Sequence, residues 1–204
     1  MSPCPIHAVI FDIGMVLLKF DFDLSIEKLK DRCKAKPEEI AMLLWESGIV
    51  DAYDRGKIST EQFIQKASAL IGFYGTPQEI MDAWSDIFIP NLPMIERAKR
   101  WKQERMPLYF LSNTCELHIE YFTKKYDFFG IFNGGAYSCR EGYLKPEEAI
   151  YRILLKRYRL KSKTTLFIDD RLENVFVAQK LGIQAIHYEN EARLHKALIP
   201  FGLK

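Results

Sequence analysis

The sequence predicts an α/β fold: a parallel sheet with flanking helices, interrupted early by a block made of helices alone. Three observations predict it. Short apolar runs recur at 8–11, 108–111, 166–168 and 185–187, most of them rich in β-branched or aromatic residues as buried strands are. From residue 90 onward, amphipathic helical segments alternate with these runs, which is the pattern of βαβ units. Between the first run and the second, the periodicity is wholly helical.

The first strand is Ala8, Val9, Ile10 and Phe11, ending at Asp12. The helical block follows, with Ile26, Leu29 and Cys33 on one face. Pro37 stands at a helix start ahead of Ile40, Leu43 and Leu44, with Gly48 as a stop. Ser59 and Gln62 form an S-x-x-Q capping box ahead of Phe63, Ala67 and Leu70, and Gly72 closes that helix. Thr76, Pro77 and Glu79 repeat the device ahead of Ile80, Trp84 and Ile87. The spacing therefore predicts four amphipathic helices in about 65 residues, enough for a small bundle. After Pro90 and Pro93, a helix marked by Met94, Ala98 and Trp101 leads into the strand at 108–111. A weaker strand candidate, Ala136 to Ser138, follows Gly134 and Gly135. Ile150, Ile153 and Leu154 precede the strand at 166–168. Val175, Ala178 and Leu181, stopped by Gly182, precede the last strand. The predicted organisation is a discontinuous α/β unit, residues 1–18 and 90–204, with a helical insertion at 19–89.

The 204 residues leave room for one ordinary domain, or for a core with a modest insertion. A composition that is 48% hydrophobic and 27% charged marks a globular protein. With 29 Lys+Arg against 27 Asp+Glu, the net charge of +2 excludes a strong global field for nucleic acid or an anionic membrane. No apolar stretch approaches the roughly 18 residues of a membrane helix. The opening MSPCPIHAVIFD lacks the features of a secretory signal. Cys4, Cys33, Cys115 and Cys139 form no CxxC pair and have no His at zinc-ligand spacing. The expectation is four reduced thiols in a cytoplasmic protein, monomeric or dimeric, with no nucleic-acid or membrane partner.

In a parallel sheet, ligands collect beyond the carboxyl ends of the strands. The residues there are Asp12 after the first strand, then Ser112, Asn113 and Thr114 after the second, and Asp169 and Asp170 after the third. Lys145 precedes Pro146 at a helix start. Each has an ordinary structural use: a turn or N-cap for the acids, a loop for Ser-Asn-Thr, a solvated surface charge for Lys145. Together they form a coherent kit. Carboxylates forced together repel unless a cation sits among them, and an oxygen-rich set without His or Cys suits Mg²⁺. A carboxylate can attack a phosphoryl group, whose oxygens then need a metal, an ammonium and neutral donors around them. Asp12, Mg²⁺, Lys145 and the Ser112–Asn113 pair fill those roles.

The segments AVIFDIGMVL, LSNT, GYLKPEEAIY and LFIDDRLENV resemble, in order, the four motifs of the haloacid dehalogenase superfamily. The resemblance spans nearly the whole chain. It implies a Rossmann-like core with an inserted small α-helical cap, and YDRGKISTEQF at 53–63 is similar to the cap of sugar-phosphatase-like members. It further implies a Mg²⁺-dependent phosphatase acting on a small phosphorylated metabolite, such as a sugar phosphate. Asp12 would be the nucleophile. Ser112 and Asn113 would hold the phosphoryl group, and Lys145 would pair with it and with Asp12. Asp12, the Gly14 carbonyl and Asp170 would bind metal, and Asp169 would support the site.

One departure matters. The usual first motif is D-x-D, whose second Asp protonates the leaving oxygen. Here that position is Gly14, as in members that begin D-x-G-N-V, and Met15 replaces the Asn. General acid–base help is typically worth ~10²–10⁴-fold. Asp21, Asp23 and His118 are the substitutes that the sequence offers. The departure keeps two other readings open: a metal-independent L-2-haloacid dehalogenase, and a non-catalytic regulatory member of the same fold. The Asp169–Asp170 pair argues against the first, and the presence of Asp12 and Lys145 against the second. Periodicity leaves open which of Trp45, Tyr53, Arg55 and Trp84 faces the site.

Overall fold

The computed structural model describes residues 5–203. Strand β1 (Ala8–Phe11) is buried along its whole length, as a run without polar alternation must be. It pairs in parallel with β4 (Leu108–Ser112) on one side and β6 (Thr165–Asp169) on the other, with Val9 opposite Leu108 and Leu166. Strands β5 (Gly134–Tyr137) and β7 (Gln184–His187) complete a parallel sheet in the order β5-β4-β1-β6-β7. The strand order reverses direction at β1, so a crevice opens at its carboxyl end. The chain places Asp12 there. Ser112 and Asp169 are the last residues of their strands rather than the first beyond them. The weak strand candidate forms two residues early, and Ser138 instead opens the short helix α8 (Ser138–Glu141).

Alternation along β1 builds the two faces. Val9 and Phe11 join a cluster covered by α6 (Leu92–Gln103), α7 (Glu116–Lys125) and α11 (Glu191–Leu198). Ala8 and Ile10 join the opposite cluster, covered by α9 (Glu148–Arg157) and α10 (Leu172–Lys180).

The helical block lies between β2 (Leu18–Phe20) and β3 (Phe88–Pro90), which pair antiparallel and bring its two ends together. Asn91 secures this junction: its Nδ2 donates to the Val16 carbonyl at 2.7 Å and to Tyr188 Oη at 2.9 Å. The block contains α1 (Asp23–Leu29), α2 (Pro37–Glu46), α3 (Ile49–Asp54), α4 (Thr60–Ile71) and α5 (Pro77–Ser85). That is five α-helices against four expected. The extra one, α3, escapes notice because Gly48 ends α2 and caps α3 at once, in a left-handed conformation with φ 75°. Both predicted capping boxes are present. Gln62 N donates to Ser59 Oγ at 3.3 Å and Ser59 N to Gln62 Oε1 at 2.9 Å. Thr76 and Glu79 make the same exchange. The block has its own core around Phe63, Ile71 and Trp84, which meets the sheet unit at Cys115 and Leu117.

Cys4 lies outside the described residues; Cys33, Cys115 and Cys139 are free thiols. Among the described residues, no helix is long and apolar enough to cross a membrane.

Candidate active site

The crevice at the end of β1 gathers the predicted residues. Asp12 is held by the sheet itself, its N–H donating to the Ile168 carbonyl at 2.9 Å. Lys145 Nζ sits between two carboxylates, 2.7 Å from Asp12 Oδ1 and 2.7 Å from Asp169 Oδ2. All three side chains are buried. Buried charges persist only when paired, and here the pairing fixes all three. Asp169 is further anchored at Oδ1, which accepts the Arg171 N–H and Asn174 Nδ2, each at 2.9 Å. It is therefore a positioning group whose oxygens are all engaged.

Lys145 reaches this place through its own backbone. Its N–H donates to Asn113 Oδ1 at 2.7 Å, and its carbonyl accepts Asn113 Nδ2 at 2.9 Å. Asn113 thus ties the β4 end to the Lys145 loop. Helix α9 begins only at Glu148, so Lys145 lies in a loop ahead of it, with a cis bond to Pro146. Ser112 is buried, and its hydroxyl makes only a long 3.5 Å contact with the Asn113 carbonyl. Ser138 braces the next residue, accepting the Thr114 N–H at 2.8 Å and donating to the Thr114 carbonyl at 3.1 Å.

One carboxylate oxygen from each of Asp12, Asp169 and Asp170 lies within 4.8 Å of the other two. Burial pushes the Asp12 carboxyl up to about 8; Lys145 pulls it down and the Asp169 charge adds to the push. Burial and Asp169 also raise Asp170, which is partly relieved by a hydrogen bond with Asp12. Burial opposes the Lys145 charge, but Asp12 and Asp169 outweigh it and hold the ammonium above its ordinary value. Three carboxylates thus face one ammonium, and two of them are close enough to share a proton. This oxygen-only, charge-unbalanced donor set fits a hard divalent cation such as Mg²⁺. Asp12, Asp170 and Gly14 line the same cavity, of about 370 Å³.

The candidates to replace the missing acid fare differently. Asp21 is exposed, with Oδ1 accepting the Asp23 N–H at 2.9 Å, and neither residue lines the cavity. His118 does line it, but burial lowers the ring to about 4, and Nε2 lies 3.0 Å from the Trp84 carbonyl, to which it donates. A neutral imidazole whose N–H is committed is no proton donor. Asp54, which sequence reasoning passed over, lines the same cavity. Burial and the neighbouring Asp51 push its carboxyl up to about 7, and no cation pairs with it among the described residues. Of the four residues left open in the helical block, Trp45 and Trp84 face the cavity. Tyr53 instead stacks on Phe63 at 4.4 Å, and Arg55 pairs with Asp51 and Glu147. Asn174 and Ser138 were also missed. Asn174 carried a readable signal, five residues after Asp169 at the start of a helix; Ser138 carried none.

No family model matches the chain. Among curated relatives, two match this chain along most of both lengths. One is a sesquiterpene phosphatase of Aspergillus oryzae, 27% identical over 88% of this chain and 88% of the relative. The other is a D-ribitol-5-phosphate phosphatase of Bacteroides thetaiotaomicron, 24% identical over 92% and 94%. Among solved structures, a HAD family enzyme of B. thetaiotaomicron in complex with magnesium and inorganic phosphate superposes with a TM-score of 0.80. It is 26% identical and covers 93% of this chain and 98% of that one. A HAD-like family hydrolase of Porphyromonas gingivalis gives a TM-score of 0.80 at 26% identity, over 96% and 98%. The L-2-haloacid dehalogenase of Xanthobacter autotrophicus shares the fold, with a TM-score of 0.66 at 14% identity over 95% and 82%. Four motifs in order, the sheet order, the Asp12–Lys145–Asp169 constellation and these likenesses agree: the chain belongs to the haloacid dehalogenase superfamily.

Proposed function

We propose that the protein is a Mg²⁺-dependent phosphatase that hydrolyses a small phosphate monoester through an aspartyl-phosphate at Asp12. The observation that carries this reading is the buried ammonium of Lys145, 2.7 Å from both Asp12 and Asp169, beside a third carboxylate at Asp170. A dehalogenase needs no metal, and without one three carboxylates share the single ammonium of Lys145, a repulsion only partly relieved. The two phosphatase relatives and the magnesium–phosphate complex of the B. thetaiotaomicron enzyme support the same choice.

In this reading, Asp12, the Gly14 carbonyl and Asp170 hold Mg²⁺, which when bound neutralises charge on the carboxylates and the phosphoryl oxygens. Lys145 and the Ser112–Asn113 end of β4 orient the phosphoryl group, and Asp169 keeps the ammonium in place. The Asp12 carboxylate attacks phosphorus and the bond to the leaving oxygen breaks. Asp54 gives that oxygen its proton. Water then cleaves the acyl phosphate, releasing phosphate and restoring the Asp12 carboxylate, and its surplus proton returns to Asp54. The helical insertion, residues 19–89, acts as a cap that brings Asp54 over the site and excludes bulk water.

Release of phosphate from para-nitrophenyl phosphate, measured with Mg²⁺ and with excess chelator beside chloride release from 2-chloropropionate, tests the reading. Mg²⁺-dependent phosphate release without chloride release is expected. Chloride release that persists in chelator overturns it in favour of the dehalogenase. No turnover of either substrate overturns it in favour of a non-catalytic member.

A further inference from the structure

The wall facing Asp12 is built from rings. Phe22 meets Trp45 edge-on at 4.6 Å and Trp84 at 5.6 Å, and Trp84 stacks on His118 at 5.7 Å. His118 in turn meets Phe88 at 5.0 Å, and Phe88 meets Phe20 at 6.5 Å. All six rings line the cavity that holds Asp12. They come from α2, α5, α7, the β2–β3 ribbon and, for Phe22, the residue that caps α1, so several separate segments converge on one apolar surface.

Met15 extends this surface next to the first motif. It lies in the left-handed region at φ 57°, where an unbranched apolar residue is strained and Asn or Gly is at ease. Its side chain lines the cavity and is 38% exposed. A strained apolar residue on the wall of a catalytic crevice adds to the case that the wall is built to be apolar.

Charge complements shape. The insertion contributes no cation to the cavity, only Asp51 and Asp54. Asp51 is already paired with Arg55 at 2.8 Å. Of the cations lining the cavity, Lys145 is held by two carboxylates and Arg171 pairs with Glu173. Among the described residues, no cationic side chain lining the cavity lacks a carboxylate partner and so stands ready for a second phosphate or a carboxylate. Where the alcohol part lies against the six rings, polyol hydroxyls would find no partners from the insertion beyond Asp51 and Asp54, and each unpaired polar group would lower affinity.

We propose that the alcohol part of the substrate is apolar and uncharged, a terpenyl, long-chain alkyl or aryl monophosphate rather than a polyol phosphate. This rests on the phosphatase reading of the same site.

The test compares kcat/KM for ethyl, butyl and octyl monophosphate with that for ribitol 5-phosphate, on the Mg²⁺-loaded protein, with para-nitrophenyl phosphate as the activity control. Each methylene buried should raise kcat/KM roughly three- to fourfold until the cavity is filled. Octyl phosphate should then exceed ribitol 5-phosphate by about two orders of magnitude. Trp45→Ala should flatten the slope of the alkyl series. A flat wild-type series, or ribitol 5-phosphate equal to octyl phosphate while para-nitrophenyl phosphate is turned over, overturns the proposal and leaves the phosphatase reading standing. Calorimetric titration with octylphosphonate and with inorganic phosphate decides the question without turnover. Octylphosphonate should bind at least tenfold more tightly, and equal affinities overturn the proposal even if no ester is hydrolysed.

Discussion

At Gly14 the backbone is not left-handed; that conformation falls on Met15 instead. An aspartate at 14 therefore meets no backbone strain. Its Cβ would stand 3.0 Å from Phe20 Cε1, a contact that a small ring shift relieves. Gly14→Asp should fold with little change in thermal midpoint and, because Asp54 already supplies the proton that the leaving oxygen of an alkyl phosphate needs, should leave turnover of alkyl phosphates within a few-fold of wild type. A large gain on alkyl phosphates in a stable Gly14→Asp protein would mean that Asp54 does not complete the proton supply. Asp54→Asn separates the two donors. The folded-state carboxyl of Asp54, raised to about 7 from 3.8, keeps its proton where the unfolded chain has lost it. Its stability contribution is full below about pH 4 and disappears as pH rises through about 7. Asp54→Asn should thus match wild type in thermal midpoint near pH 4 and exceed it at pH 8. Its turnover of alkyl phosphates should fall by ~10²-fold or more, with para-nitrophenyl phosphate less affected. Equal midpoint differences at both pH values would place the Asp54 pKa in the ordinary carboxylate range. Asp12, Asp169 and Asp170 were legible because strand ends announce them, and Lys145 because Pro146 after it marks the approach to a helix, although α9 begins only at Glu148. Asp54 was not, because an acid at the end of a six-residue helix looks like any surface charge until the fold turns it to the wall of the cavity.

Helix α3 and the turn after it clasp the sheet unit. Arg55 Nη1 reaches Glu147 Oε1 at 2.5 Å, and Gly56 packs where any side chain would collide with the Cys139 carbonyl, 2.0 Å from an added Cβ. Gly56 is also left-handed, at φ 65°, so Gly56→Ala suffers twice. Gly48→Ala is the matched control, with φ 75° but no atom within 4 Å of the added Cβ. The left-handed backbone alone should cost about 1 kcal/mol at each position. Urea denaturation should show that loss for Gly48→Ala and a clearly larger one for Gly56→Ala. Equal losses would mean that the turn at 56 bears no contact with the sheet unit. The capping boxes at Ser59 and Thr76 were readable because side chain and spacing both declare them. The ribbon of β2 and β3 was not, since three-residue strands, one ending in Pro90, carry no period.

Across the whole molecule, the site is assembled from four places in the chain: the ends of β1, β4 and β6 and the loop before α9. The parallel order with β1 at the centre puts three of these ends side by side. That convergence was legible because apolar runs and helices alternate so regularly after residue 90. The content of the cavity above it was not. Which rings face inward depends on how five short helices close over the sheet, and a helical period alone leaves Trp45 and Tyr53 indistinguishable. The nucleophile is central to the phosphatase reading, and turnover of para-nitrophenyl phosphate by Asp12→Asn protein with Mg²⁺ tests it most directly. Because an amide does not form the phospho-enzyme, turnover should fall by several orders of magnitude in a protein that keeps its circular dichroism and thermal midpoint. Turnover within tenfold of wild type in that folded protein would contradict it.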